Sequence, residues 1–124
     1  MDAAQALGEL MELSSQITAA VVLDGDGAVV ASSSDDSASL AAATVELLAA
    51  AADLGGDGRG VTRVEVELDD GAIFVVREGD RTVAATTGPD PTSGLVVYDL
   101  RTCAQAITSE PKKRRARKPK EPSE

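Results

Sequence analysis

The chain has 124 residues, a formal net charge of −9 and a hydrophobic content of 43%, which suits one domain with a single buried core. It contains no histidine, the commonest general acid/base and metal ligand, so we expect no catalytic residues, no metal and no cofactor. The acidic charge also disfavours contact between the body of the protein and nucleic acid or an anionic membrane.

The first third of the chain predicts a helix followed by two strands. Asp2 is a suitable N-cap for a helix whose apolar residues recur at helical spacing over 3–11. The valine-rich run at 19–23 predicts a strand covered on both sides, and 28–31 predicts a second strand. Between them, Asp24-Gly25-Asp26-Gly27 favours a hairpin turn, because Asp-Gly pairs accept the positive φ angles that such turns need. The same four residues resemble the start of a calcium loop, but the later acidic ligands are missing.

The stretch Ser37–Leu54 predicts a long helix with more apolar surface than one core requires. It is rich in alanine and leucine and runs into two glycines, a favoured helix end. Its polar residues Ser39, Glu46 and Asp53 are spaced by seven and form one narrow stripe. We expect one apolar face to cover its own subunit and the other to pair with a second copy. The two faces are Leu40, Ala43, Leu47, Ala51 and Leu54 on one side, and Ala41, Val45, Leu48 and Ala52 on the next.

The second half of the chain predicts three strands and a final helix. Residues 61–68 alternate between apolar and mostly polar side chains, as near a sheet edge, whereas 72–76 is apolar throughout and predicts a central strand. A further strand at 82–87 ends before Pro89 and Pro91, because proline cannot donate to a sheet ladder. Thr92 or Ser93 then caps a helix over 94–107. The resulting order of elements predicts an α+β fold with an antiparallel sheet.

One cysteine and four arginines are the other candidates for chemistry. Cys103 lies at helical spacing from Leu100 and Ile107, so the simplest interpretation is a small core residue. A lone cysteine forms no internal disulfide, and the first residues show no secretory signal, so we expect a cytoplasmic protein. No uncharged apolar run approaches the ~18 residues of a membrane span.

The four candidate arginines are Arg59, Arg63, Arg77 and Arg81. The simplest interpretation is that they are solvated charges at the ends of strands. Two of them on adjoining turns could also meet an acidic or phosphate-bearing partner.

The charge is divided between an acidic body and a basic tail. Residues 110–124 carry seven basic residues against three glutamates, a net +4, whereas 1–109 carry five arginines against eighteen acids, a net −13. Because the tail has almost no apolar residues, we expect one domain at 1–109 and a disordered tail at 110–124. Three interpretations of the tail stay open: an unspecific anchor to nucleic acid or anionic membrane, a strap on its own acidic body, and a solubilising segment. The polyanion-binding residues would be Lys112, Lys113, Arg114, Arg115, Arg117, Lys118 and Lys120.

Four local sequences together are typical of a known family. They are AAVVLDGDGAVVASS, the Ala/Leu-rich helix that follows it, VEVELDDGAIFVVREGDRTVAATT, and GPDPTSGLVVYDLR. In this order they resemble the Roadblock / dynein light chain family, and in particular its bacterial MglB-like branch of GTPase regulators, over about residues 3–108. The resemblance implies a five-stranded antiparallel sheet with strand order 2-1-5-4-3, the middle helix on one face and the terminal helices on the other.

The resemblance also implies how copies assemble and what they bind. Members pair their middle helices and third strands, which places at the dimer interface Ala41, Val45, Leu48, Ala52, Val64 and Val66. Members bind small Ras-like GTPases or scaffold larger assemblies, and hold no cofactor. We therefore expect a non-enzymatic homodimeric adaptor that regulates a small Ras-like GTPase in a bacterial cytoplasm. The alternative is a dimeric structural scaffold that its basic tail recruits to membrane or nucleic acid.

Overall fold

The computed structural model describes residues 1–34, 37–54 and 62–108, which form three helices and five strands. The helices are α1 (Ala3–Leu13), α2 (Ser37–Leu54) and α3 (Ser93–Thr108). The strands are β1 (Ile17–Leu23), β2 (Val29–Ser32), β3 (Arg63–Leu68), β4 (Gly71–Glu78) and β5 (Arg81–Thr87). The element order αββαβββα confirms the predicted α+β class.

All five strands join one antiparallel sheet in the order β2-β1-β5-β4-β3, as the resemblance implied. β5 lies at the centre, paired with β1 on one side and with β4 on the other. β1, β4 and β5 are almost wholly buried, which is why their sequences are apolar on both faces. β2 and β3 are the edges, and each has one neighbour among the described strands.

The sheet separates two apolar layers. On one face, α1 and α3 pack on the larger core cluster, which contains Phe74, Val83 and Leu100, all at most 1% exposed. On the other face, α2 lies mainly over β1 and β5, and Val21, Val75 and Ala84 form the smaller cluster beneath it. Among the described residues, α2 alone covers this second face, and it leaves the edge strand β3 partly open there.

Side-chain and backbone chemistry explains several element boundaries. Asp2 caps α1, because its Oδ1 accepts from the N–H of Gln5 at 2.8 Å while the Gln5 side chain accepts from the Asp2 N–H. The hairpin turn is held by Asp24, whose Oδ1 accepts from two backbone N–H groups, and by Gly27 at a φ of 87°. The first residue of β4, Gly71, has to be a glycine, because a Cβ there would overlap the carbonyl oxygen of Thr87.

The predicted boundaries differ from the structure at several strand ends. β1 begins two residues earlier than predicted, because Ile17 pairs with Thr87. The polar residue Thr18 separates Ile17 from the apolar run at 19–23, so the sequence pattern did not include Ile17. β2 is shifted by one residue, and β4 extends to Gly71 and Glu78. α2 has the predicted bounds, whereas α3 spans one residue more at each end, so that Thr92 precedes it. Residue 61, the glycine-rich link at 55–60 and the tail at 110–124 lie outside the described residues.

Candidate functional site

The surface of α2 is divided between a core side and an open side. Leu40, Ala41 and Thr44 are at most 8% exposed and face the sheet. Thr44 is polar yet fully buried, because its Oγ1 donates to the carbonyl oxygen of Leu40 at 2.7 Å. Leu47 and Leu48 pack partly against the cluster below α2. The residues that cover the sheet therefore come from both of the apolar faces recognised in the sequence.

The open side of α2 carries a stripe of small apolar residues. Ala38, Ala42, Val45 and Ala49 are all exposed, and their spacing of four, three and four places them on one line along the helix. Val45 is 45% exposed, although its Cγ2 approaches Gly27 in the hairpin turn. We call this set the open stripe. Small side chains on such a line allow another helix backbone to come close.

The edge strand β3 continues this open surface on the same face of the sheet. Val64 lies beside Val75 and Val66 lies beside Ile73, so their side chains point to the α2 side. Both valines are half-buried, and Leu68 further along β3 is 47% exposed. The outer edge of β3 has no described strand beside it, so its backbone donors and acceptors are open to pairing.

The opposite face of β3 is charged. Arg63, Glu65 and Glu67 are exposed and alternate with the valines along the strand. β3 therefore combines an apolar face beside α2, a charged face on the other side and an edge with no partner among the described strands. A second copy of β3 could pair with this edge.

The residues predicted for a dimer interface fall into two groups. Val45 is exposed, and Leu48, Ala52, Val64 and Val66 are half-buried. Ala41, in contrast, is 8% exposed and belongs to the cluster beneath α2, so it has little surface left to give to a partner. Ala38, Ala42 and Ala49 also belong to this surface but are absent from the predicted set. The spacing of four, three and four that they share with Val45 was the available signal. It was missed because Thr44, which marks the buried side of α2, is polar, and a polar residue type does not predict burial.

The described residues do not assemble a metal site. They contain no group of three or more acidic or cysteine side chains that could hold an ion. The carboxylate of Asp24, the first candidate in the calcium-like sequence, accepts hydrogen bonds within its own turn. The turn at 24–27 is therefore explained by local backbone bonding.

The predicted arginines and Cys103 take mostly structural positions. Arg81 pairs with Asp80 at 3.4 Å, Arg77 is half-buried on β4, and Arg63 is exposed on β3. Arg59 lies outside the described residues. Cys103 is 5% exposed in the core cluster, which confirms its prediction as a core residue. Its burial, together with the nearby carboxylate of Glu9, raises the pKa of the Cys103 thiol to about 11, so the thiol is a poor nucleophile at neutral pH.

Within the part of the chain that the structure describes, one helix, α2, is long and apolar enough to cross a membrane by length and composition alone. It also carries Glu46 and Asp53, and one side of it packs on the sheet. Its apolar composition is thus explained by covering a sheet on one side and presenting the open stripe on the other.

The chain is similar to known proteins both in family and in fold. A model of the Roadblock/LC7 domain matches residues 4–87. A Roadblock/LC7 domain from Streptomyces avermitilis is similar, with 26% identity, a TM-score of 0.76 and coverage of 88% of this chain and 97% of that chain. The gliding protein MglB from Thermus thermophilus has 18% identity, a TM-score of 0.68 and 86% coverage of both chains. MglC from Myxococcus xanthus has 20% identity and a TM-score of 0.60, covering 86% of this chain and 96% of that chain. Among curated protein sequences, none matches.

Proposed function

This chain belongs to the Roadblock/LC7 family, and on that premise we propose that it is a homodimeric, non-enzymatic adaptor that binds and regulates a small Ras-like GTPase. The observation that carries the proposal is the open surface formed by the α2 stripe and the β3 edge. We place the adaptor in a bacterial cytoplasm, in keeping with its bacterial structural neighbours.

The homodimer is supported by what each open feature needs. The open stripe of α2 offers an apolar line that a second copy of α2 could cover, since its small side chains allow close contact. The β3 edge offers unpaired backbone groups that a second β3 could satisfy by continuing the sheet. Both features lie on the same side of one subunit's sheet, so a single two-fold axis could cover them together.

Pairing of two β3 strands also brings opposite charges together. In an antiparallel pair with Glu65 at the two-fold axis, Arg63 of each copy lies opposite Glu67 of the other and Val64 lies opposite Val66, while the two Glu65 side chains oppose each other at a cost. With Val64 at the axis, Arg63 instead lies opposite Glu65. In both registers an arginine of one subunit meets a glutamate of its partner, which favours pairing through this edge.

To regulate a GTPase, the adaptor would have to bind the mobile segments of the GTPase itself. The described residues contain neither a histidine nor a metal cluster, so the adaptor has few groups beyond arginine to donate to GTP hydrolysis. We therefore propose that the dimer acts by binding one nucleotide state more tightly, which shifts the population of the GTPase.

The test is affinity capture with the full-length chain as bait, from native lysate loaded with GDP or with a non-hydrolysable GTP analogue. We expect a protein with a Ras-like G domain to be enriched in one nucleotide state over the other. A bait with Ala49→Asp, designed to break the dimer, is the control for binding that needs both subunits. Failure to enrich any GTPase in either state would contradict the regulatory role while leaving the dimer untouched.

A further inference from the structure

A groove between α1 and α3 crosses the face of the sheet opposite α2. It has a volume of about 260 Å³, and its floor includes Leu10 and Cys103, which are 3% and 5% exposed. Its rims carry two large exposed side chains, Leu13 at 76% and Tyr98 at 66%. These two residues are among the most exposed large apolar side chains of the described chain, so the groove has an uncovered apolar rim.

The helices that form the groove run in opposite directions. α1 leads into β1 and α3 leaves β5, and these two strands are antiparallel neighbours. Met1 and Ala106 both line the groove, which places the end of α3 beside the beginning of α1. Residues 109–124 follow directly from this end, so the basic segment of the chain starts at one mouth of the groove.

The charge of the helix layer is acidic. Glu9 and Asp99 line the groove, and Glu12 is exposed on the same helix as Glu9. Arg101 is the one basic side chain within α1 and α3, and its Nη1 lies 3.3 Å from the Glu78 carboxylate, where it forms an ion pair. The carboxylates along the groove therefore lack a basic partner within their own two helices.

We propose that residues 109–124 of the same chain lie along the α1–α3 groove as a strap, with lysine and arginine heads on the groove carboxylates and aliphatic stems on Leu13 and Tyr98. The segment carries seven basic residues against three acidic ones, opposite in sign to the surface that it leaves. Lysine and arginine stems cover apolar surface while their heads stay in water, and a cation over the Tyr98 ring gains further attraction.

Length and attachment favour this occupant over a separate molecule. The stretch of α1 from Ala6 to Leu13 that lines the groove is about 10 Å long at ~1.5 Å per residue. The sixteen residues of the segment can extend about 50 Å at ~3.3 Å per residue, so they span the groove with length to spare. Covalent attachment also holds such a segment at roughly millimolar effective concentration. The strap goes beyond the GTPase role and does not depend on it.

The chain provides its own probe for this proposal. Tyr98 is the one tyrosine and the chain has no tryptophan, so intrinsic fluorescence reports on the groove. Acrylamide, an uncharged quencher, would be titrated into the full chain and into a full chain with Lys112→Gln, Lys113→Gln, Arg114→Gln and Arg115→Gln. At low salt we expect the quenching constant to be at least twofold larger in the variant.

Salt gives the second arm of the same experiment. At about 1 M NaCl the screening length falls to ~3 Å, so the wild-type quenching constant should rise to that of the tail variant. The tail variant leaves every described residue unchanged, which keeps the comparison free of folding defects in the domain. Equal quenching constants for the two proteins at low salt would overturn the proposal.

Matched substitutions in the body locate the binding surface. Glu9→Gln with Asp99→Asn removes two charges from the groove, whereas Asp69→Asn with Asp70→Asn removes two exposed charges from the β3–β4 turn. We expect only the groove pair to expose Tyr98. An equal effect of both pairs would assign the result to net charge and overturn the groove as the site. Protection that disappears on tenfold dilution would assign the groove to the tail of a second copy, and would also overturn the strap.

Discussion

Thr44 shows how one hydrogen bond can place a polar residue at the centre of an apolar contact. Its hydroxyl donates to the Leu40 carbonyl within the same helix, so no polar group is left unsatisfied when the side chain is buried. The remaining methyl group packs like that of valine. At the same scale, Gly71 is required by the carbonyl of Thr87, which leaves no room for a Cβ.

Cys103 yields a prediction for the pH dependence of stability. Burial and the Glu9 charge raise the pKa of its thiol to about 11, above that of an unfolded cysteine near 8.5. The folded thiol therefore keeps its proton to higher pH, and its contribution to the free energy of unfolding is complete below about pH 8.5 and is lost as pH rises toward 11. We expect Cys103→Ala to cost about 1 kcal/mol at pH 7. Because each pH unit above 8.5 removes about 1.4 kcal/mol from the wild type, the gap should close near about pH 9 and be reversed by about 1 to 2 kcal/mol at pH 10.5.

Urea denaturation of both proteins at pH 7, 9 and 10.5 measures this difference. Tyr98→Phe, a substitution at the rim of the same groove, is the control, and it should leave the pH dependence of the gap unchanged. A constant difference between wild type and Cys103→Ala over the whole pH range would mean that the Cys103 thiol ionises at an ordinary pKa.

At the scale of elements, α2 shows why a nearly all-apolar helix can have one well-defined core side. Its core side is centred on Thr44, between the two apolar faces visible in the sequence, because the sheet below accepts Leu40 and Ala41 together. The open stripe then lies on the opposite half of the helix. This orientation is set by the contact of α2 with β1 and β5. The pattern of residues within the helix carries no information about that contact.

Two neighbouring alanines of α2 test the open stripe. Ala49 belongs to the stripe, whereas Ala50 is exposed on the other side of the line formed by Glu46 and Asp53. Aspartate lowers helix propensity equally at both positions, so the two variants differ mainly in where the charge lies. We expect Ala49→Asp to raise the dimer dissociation constant at least 100-fold, because its carboxylate would be buried against a partner, and Ala50→Asp to change it less than threefold.

Sedimentation equilibrium gives the dissociation constants of both variants, and circular dichroism checks that each is folded. Both positions are exposed in the single subunit, so neither substitution disturbs its core. A dimer that tolerates Ala49→Asp but not Ala50→Asp would place the interface on the side of α2 that carries Ala50.

At the scale of the whole molecule, the two faces of the sheet have different tasks in our proposals. The face under α2 and the β3 edge is assigned to a second subunit, whereas the face under α1 and α3 is assigned to the basic segment of the same chain. The division follows from charge and exposure, since the helix layer is acidic with an apolar groove and the open stripe is apolar and built of small residues.

A charge swap on β3 tests both the dimer and its register. Arg63→Glu removes two symmetry-related ion pairs and replaces them with repulsion, so the dimer dissociation constant should rise about three- to tenfold. If Glu65 lies at the two-fold axis, adding Glu67→Arg restores wild-type affinity within about twofold. Rescue by Glu65→Arg would instead place Val64 at the axis.

Dilution series followed by light scattering measure these constants for the single and double variants. The two rescue variants carry the same net charge, so a difference between them reports position alone. An unchanged dissociation constant for Arg63→Glu, or an absence of rescue by both second substitutions, would contradict pairing through β3.

Local patterns in the sequence were enough to predict the class, the order of elements and most strand positions, because turn residues and apolar periodicity act over a few neighbouring residues. The Asp-Gly turn, the doubly apolar runs that form β1 and β4, and the bounds of α2 all depend on such local signals. The order of the strands was accessible only through family resemblance, since it arises from pairing between distant segments.

Three features required the tertiary structure: which half of α2 faces the sheet, that Ala41 is buried while Ala42 is open, and that α1 and α3 leave between them a groove lined by apolar and acidic side chains. The physical reason is that burial is a property of two surfaces in contact. A helix with apolar residues on most sides has several orientations of similar hydrophobic content, and the shape of the sheet beneath it selects one of them.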